Sequence, residues 1–137
     1  MSKRLEDAQC LIVADGDVLI RNALAEYLRH CGYKVIEAAS SDEVMTAVDM
    51  GSATVDGILA DAGLPGRMNA FALRLEVKNR LPAVPVVLAG NVNAAAKAAG
   101  ELCDQGPHLK RPYEAEKVVA HIKRLLAASR RQSATRT

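Results

Sequence analysis

A chain of 137 residues, 50% hydrophobic and 25% charged, fits one domain with a packed core and argues against wholesale disorder. With one Phe, three Tyr and no Trp, the core must be aliphatic, and a nucleic-acid surface of stacked aromatic rings is disfavoured. The 18 basic and 16 acidic residues leave a net charge of +2, too mild to call for a polyanion partner.

Short apolar runs alternate with helical patterns along the chain. Cys10–Ala14 reads as a buried strand, closed by Asp15, Gly16 and Asp17. From Val18 to Cys31 the apolar residues Leu19, Ala23, Leu24, Tyr27 and Leu28 recur at helical spacing, and Gly32 stands where a C-terminal cap belongs. Tyr33–Glu37 is a second strand. Ser40 to Glu43 resembles a helix start, followed by a Val44, Ala47, Val48 stripe. Val55–Ala60 is a third strand, ended by Asp61, and Ala62–Gly66 is loop because Gly and Pro punctuate it.

Phe71, Leu73, Leu75, Val77 and Leu81 mark a third helix that stops before Pro82. Val84–Ala89 is a fourth strand, and an alanine-rich helix runs from about Val92 to Leu102. His108, Leu109 and Lys110 form a short fifth strand, with Pro112 beyond it. Glu114–Ala127 is an amphipathic last helix with Val118, Val119, Ile122, Leu125 and Leu126 inward. The expected organisation is an N-terminal extension over 1–8, one domain over 9–127, and a basic, disordered tail over 128–137.

Three cysteines, Cys10, Cys31 and Cys103, are odd in number and lie far apart without a CxxC pair. That pattern disfavours a zinc site or a disulfide framework and fits a reduced compartment. No apolar run reaches the length of a membrane helix, and the N-terminal stretch lacks the apolar core of a signal peptide. A cytoplasmic protein without a membrane partner is expected.

Strands alternating with helices imply an α/β protein with a parallel sheet covered on both faces. Ligands of such folds collect beyond the carboxyl ends of the strands. The residues there are Asp15, Gly16 and Asp17, then Asp61, then Ala89, Gly90 and Asn91, and finally Arg111 with Pro112. Carboxylates at two strand ends suit a hard cation such as Mg²⁺, and Arg111 or Lys110 could pair with an anion. Carboxylate, metal and cation together are what phosphoryl transfer to an aspartate requires.

Over nearly its whole length the chain resembles the receiver domain of two-component response regulators. The stretches that carry the resemblance are LIVADGDVLIRNALAEYLRHCGYKVIEAASSDE, VDGILADAGLPGRMNAFAL, VPVVLAGN and HLKRPYE. The resemblance implies a flavodoxin-like (βα)5 fold, a five-stranded parallel sheet of order 2-1-3-4-5 with helices on both faces. It makes Asp61, in Asp61-Ala62-Gly63-Leu64-Pro65, the phosphoacceptor, served by a histidine kinase or phosphotransfer protein. Weakly bound Mg²⁺ would be held by Asp15, Asp17, Asp61 and the backbone carbonyl of Gly63, with Arg111 in the usual Lys position as the phosphate-pairing cation. Beyond self-phosphorylation and autodephosphorylation at Asp61, no enzymatic turnover is expected.

The chain departs from the family pattern at several points. Gly16 replaces the second acidic residue after the first strand. Ala89 replaces the Ser or Thr whose hydroxyl binds the phosphoryl group, and His108 stands at the switch aromatic. Asn69-Ala70 replaces the usual Asp-Gly. A stand-alone receiver would signal by docking, to a downstream regulator or as a homodimer, through the last helix and fifth strand, including Lys110, Tyr113, Lys117, Val118, His121 and Arg124. The alternative is a degenerate receiver that binds partners without phosphorylation. A more remote one is a haloacid-dehalogenase-like phosphatase, to which Asp15-Gly16-Asp17 bears some likeness.

Overall fold

The computed structural model describes residues 9–50, 54–105 and 114–135. In chain order the elements are β1 (Cys10–Ala14), α1 (Val18–His30), β2 (Lys34–Ala38), α2 (Ser41–Met50), β3 (Gly57–Asp61), α3 (Ala70–Arg80), β4 (Val86–Ala89), α4 (Val92–Gln105) and α5 (Ala115–Thr135). The strands form one parallel sheet in the order β2-β1-β3-β4. The expected fifth strand, His108 to Lys110, lies outside the described residues.

Side-chain alternation along the strands divides the core in two. Leu11, Val13 and Leu59 face one side and pack with Leu24 and Leu28 of α1, Ala96 and Ala99 of α4, and Val118 and Ile122 of α5. Ile12, Ala14, Ile58 and Ala60 face the other side and meet Val44 of α2 and Leu73 and Val77 of α3. A strand buried on both faces is apolar at every position, which is why β1 reads as the unbroken run Cys-Leu-Ile-Val-Ala. The alanine face of α4 contributes little side-chain bulk. Ala95, Ala96, Ala99 and Gly100 are all buried, so the helix backbone can lie close to its neighbours.

Strand ends shift from the sequence expectation for local reasons. Tyr33 is not in β2, because its N–H closes α1 on the carbonyl of Leu28 at 3.2 Å, beside Gly32 at φ +102°. β3 starts at Gly57 instead of Val55, where the Asp56 carboxylate accepts the Cys10 N–H at 2.8 Å. It keeps Asp61, which pairs with Ala89 of β4. β4 begins after Pro85, since a proline has no N–H to give to a ladder. α5 runs on to Thr135 through residues expected to form a disordered tail. Residues 128–135 contain no Gly or Pro to stop it, and Ala, Arg and Gln favour helix.

The cysteine reading needs correction. Cys31, at the C-cap of α1, and Cys103, on α4, form a disulfide with 5.4 Å between their Cα atoms. They are 72 residues apart in sequence, and only the packing of α4 on α1 brings them together. Both sulfurs sit in the core beneath the two helices. Cys10 is left as a buried free thiol, its pKa pushed up by burial and by the Asp56 charge.

A bond closing so long a loop should stabilise the fold by about 2–4 kcal/mol, so Cys103→Ser should lower the denaturation midpoint accordingly. Thiol alkylation followed by mass spectrometry gives the direct check. Native protein should react slowly, denatured protein should gain one adduct on Cys10, and denatured, reduced protein should gain three.

Candidate functional site

The register of the sheet assembles the site. Ala14 pairs with Ala60 and Asp61 with Ala89, so the next residues, Asp15 and Ala62, leave the same rim. A cavity of about 310 Å³ opens there, lined by Asp15, Gly16 and Asp17, by Asp61 and Gly63, and by Ala89 and Asn91. Its inner wall is apolar, with Val13, Leu24, Leu59 and Ala95. Asp15, Asp17, Asp61, Gly63 and Ala89 thus line one hollow. Arg111 and His108 lie outside the described residues.

Asp15 is almost fully buried at the end of β1. Its N–H extends the ladder to the Ala38 carbonyl at 3.0 Å, and its carboxylate accepts the Asp17 N–H at 2.8 Å. Burial pushes its pKa up, the Asp17 N–H pulls it down, and the Asp61 and Asp17 charges push it up again. Arg21 opposes them weakly.

Asp17, which lines the same cavity, has a structural duty that the sequence did not announce. It is the N-cap of α1, and its Oδ1 accepts from the N–H groups of Leu19 at 2.9 Å and Ile20 at 3.2 Å. One carboxylate oxygen is thus committed to satisfying the helix terminus. Gly16 offers no side chain, and a Cβ there would stand 3.0 Å from the Pro65 ring. Asp15-Gly16-Asp17 is therefore a turn and a cap as well as an acidic cluster.

The loop after β3 is held from α2. Pro65 O accepts the Ser41 N–H at 2.9 Å, Ser41 Oγ accepts the Met68 N–H at 3.1 Å, and the Asp42 carboxylate accepts the Arg67 N–H at 3.2 Å. Gly66 sits at φ +129°, where a Cβ would overlap the Ser41 hydroxyl, so only glycine fits. Within the loop Leu64 N–H returns to the Asp61 carbonyl at 3.0 Å, a tight turn that keeps Gly63 beside the Asp61 carboxylate. Asn69 then caps α3, and Asn91, on the far side of the cavity, caps α4.

One contributor escapes sequence reasoning. Arg21 of α1 donates from Nη1 to the Asp15 carbonyl at 2.9 Å and pairs through Nε with Glu37 of β2 at 3.3 Å. Glu37 also meets Arg29, which reaches Glu26. The only sequence signal was an arginine one helical turn beyond the cap, which many solvent-facing helices carry.

The donor chemistry suits Mg²⁺, which takes few carboxylates and keeps several waters. Asp15 and Asp61 supply charged oxygens, and Gly63 lines the same cavity. Among the described residues, however, no three acidic, His or Cys side chains cluster tightly enough to hold an ion by themselves. A bound ion would have to rely on waters and ligand oxygens for the rest.

No family model matches the sequence, and no curated protein matches it. Solved structures do match. The receiver domain of NtrX from Brucella abortus is 26% identical with a TM-score of 0.54, the alignment covering 85% of this chain and 98% of that one. This is a response regulator receiver fold. Full-length NtrX shows the same likeness at 25% identity and a TM-score of 0.57, but there the match covers 93% of this chain and 29% of that one. The chemotaxis response regulator CheY4 of Vibrio cholerae matches at 20% identity and a TM-score of 0.56, over 85% of this chain and 98% of that one. Among the described residues no helix is long and apolar enough to cross a membrane. The receiver fold accounts for the position of the cavity at the carboxyl rim.

Because burial raises the pKa of Asp15, its charge weighs against folding at neutral pH. For a carboxyl raised in the folded state, the protonated form is favoured by folding, so stability falls as pH rises through the raised value. Asp15→Asn keeps an oxygen for the Asp17 N–H and removes the charge. It should be more stable than the parent at pH 7, and the advantage should shrink below the ordinary carboxylate range, as denaturant melts across pH will show.

Proposed function

We propose that this chain is a receiver module of two-component signalling that accepts a phosphoryl group on Asp61 and acts by docking to partner proteins. The observation that carries this reading is the shared cavity of Asp15, Asp61 and Gly63 at the rim of a receiver-type sheet. An Asp61 oxygen attacks the phosphorus of a phosphohistidine. The phosphorus–nitrogen bond breaks, its electron pair returns to the imidazole, and the imidazole nitrogen takes up a proton. Asp15, Asp61 and the Gly63 carbonyl would hold Mg²⁺, which when bound offsets charge on the phosphoryl oxygens. Arg111 is proposed as the cation paired with the phosphoryl group.

The response regulator TrrA from Thermotoga maritima, solved in complex with Mg²⁺-BeF, is 22% identical with a TM-score of 0.53, over 58% of this chain and 67% of that one. It supports a comparable Mg²⁺ role here. The missing acid at Gly16 and the capping duty of Asp17 argue for weaker binding in this chain.

A second reading, a receiver that binds partners without phosphorylation, is favoured by Ala89. It is buried at the cavity wall and brings no hydroxyl to a bound phosphoryl group. The phosphatase alternative is weakened by the use of Asp17 as a helix cap. The histidine kinase or phosphotransfer protein, the downstream regulator and the homodimer face at α5 remain part of the proposal. His108, at the altered switch position, is assigned no part in coupling.

Incubation with an acyl phosphate and millimolar Mg²⁺ should add one phosphoryl mass, absent in Asp61→Asn. No adduct in the parent would select the phosphorylation-independent reading. Gly16→Asp should tighten Mg²⁺ by about tenfold or more, through a third carboxylate near the ion. Titration of Mg²⁺ by calorimetry reads this directly.

A further inference from the structure

α3 is apolar on two faces. Its inner face, Ala70, Leu73 and Val77, is fully buried against the sheet. Its outer face carries Phe71, Arg74, Leu75 and Lys78, at the i, i+3, i+4 and i+7 positions of a single stripe. Phe71, the only Phe of the chain, is 55% exposed, and Leu75 is 62% exposed. Burying large apolar side chains on one face is the rule for a surface helix, and two more side by side in solvent, flanked by cations, mark an interaction surface.

The stripe borders a groove of about 340 Å³. Arg74, Leu75 and Lys78 form one wall, and Pro82, Val84 and Pro85 the other. No acidic side chain lines the groove. Arg74 lies over the Phe71 ring at 5.8 Å, and neither Arg74 nor Lys78 joins a carboxylate among the described residues. By contrast Arg80, on another side of the same helix, is paired with Glu76 and Asp49. On α3, among the described residues, the cations beside the exposed apolar pair have no carboxylate partner.

We infer that the outer stripe of α3 and the adjoining groove form a docking site for an acidic, apolar-faced helix of a partner protein. Apolar residues of the partner would cover Phe71 and Leu75, and its carboxylates would neutralise Arg74 and Lys78. Four positions across eight residues span about 10 Å along the axis, two turns of a helix laid alongside. The surface lies on the opposite side of the sheet from α5 and does not depend on phosphoryl transfer.

The test is a titration of isotope-labelled, unphosphorylated protein with a synthetic amphipathic peptide of leucines at helical spacing flanked by glutamates. Amide shifts should change over residues 71–86. Affinity should fall by about tenfold in Leu75→Ser and in the double variant Arg74→Glu with Lys78→Glu, and it should weaken with salt. Circular dichroism checks that these exposed changes leave the fold intact. Shifts elsewhere, equal affinity for the same peptide with lysines in place of glutamates, or unchanged affinity in the variants would overturn the inference. So would a face that binds only anionic phosphatidylglycerol vesicles, or one that is covered by self-association in sedimentation.

Discussion

Everything at the carboxyl rim follows from the parallel register of three strands. Ala14 opposite Ala60, and Asp61 opposite Ala89, bring residues from three distant stretches of the chain to one edge. A slip of one residue in β3 would turn Asp61 to the other face of the sheet and separate it from Asp15. Register is held by burial on both sides of the sheet. Ile12 and Ile58 cannot exchange faces with Val13 and Leu59 without emptying one core and overfilling the other. The acidic hollow is therefore stabilised by residues that take no part in its chemistry.

The cost of that placement falls on Asp15. Its backbone completes the ladder to β2, so the side chain cannot withdraw into solvent. A buried carboxylate needs donors, and here it has the Asp17 N–H, with Arg21 holding the carbonyl of the same residue. Loop 62–69 needs its own support. It is anchored on Ser41 and Asp42, the first residues of α2, so the start of that helix holds the loop that walls the hollow. Most bonds that define the rim run from a backbone N–H to a short polar side chain, Asp15, Asp17, Ser41, Asp42, Asn69 or Asn91.

Much of this was legible in the sequence. β1, α1 and the positions of Asp15, Asp61 and Ala89 follow from apolar runs ended by acidic or small residues, a local signal that survives folding. What stayed hidden depended on distance. The Cys31–Cys103 bond joins residues that share no sequence neighbourhood, and counting cysteines gave the opposite expectation. Asp17 looked like a spare metal ligand because capping depends on where the helix begins to within one residue. Arg21 was missed because an arginine on a helix has many uses and only the fold selects one. Phe71 and Leu75 mark the third helix in the sequence without saying which way they face, since their spacing fits a helix whichever way it is turned, and both are exposed.

The disulfide has a mechanical consequence for α4. It fastens Cys103, near the last turn of that helix, to the end of α1, while Asn91, at the opposite end, borders the hollow. Sliding α4 bodily away from α1 is closed to the oxidised chain. The motion that remains is a swing about the tethered end, in which the tip beside Ala89 travels furthest. A small displacement at the rim would therefore tilt the helix as a lever with a covalent fulcrum, and cutting that bond would turn a rotation into a free drift.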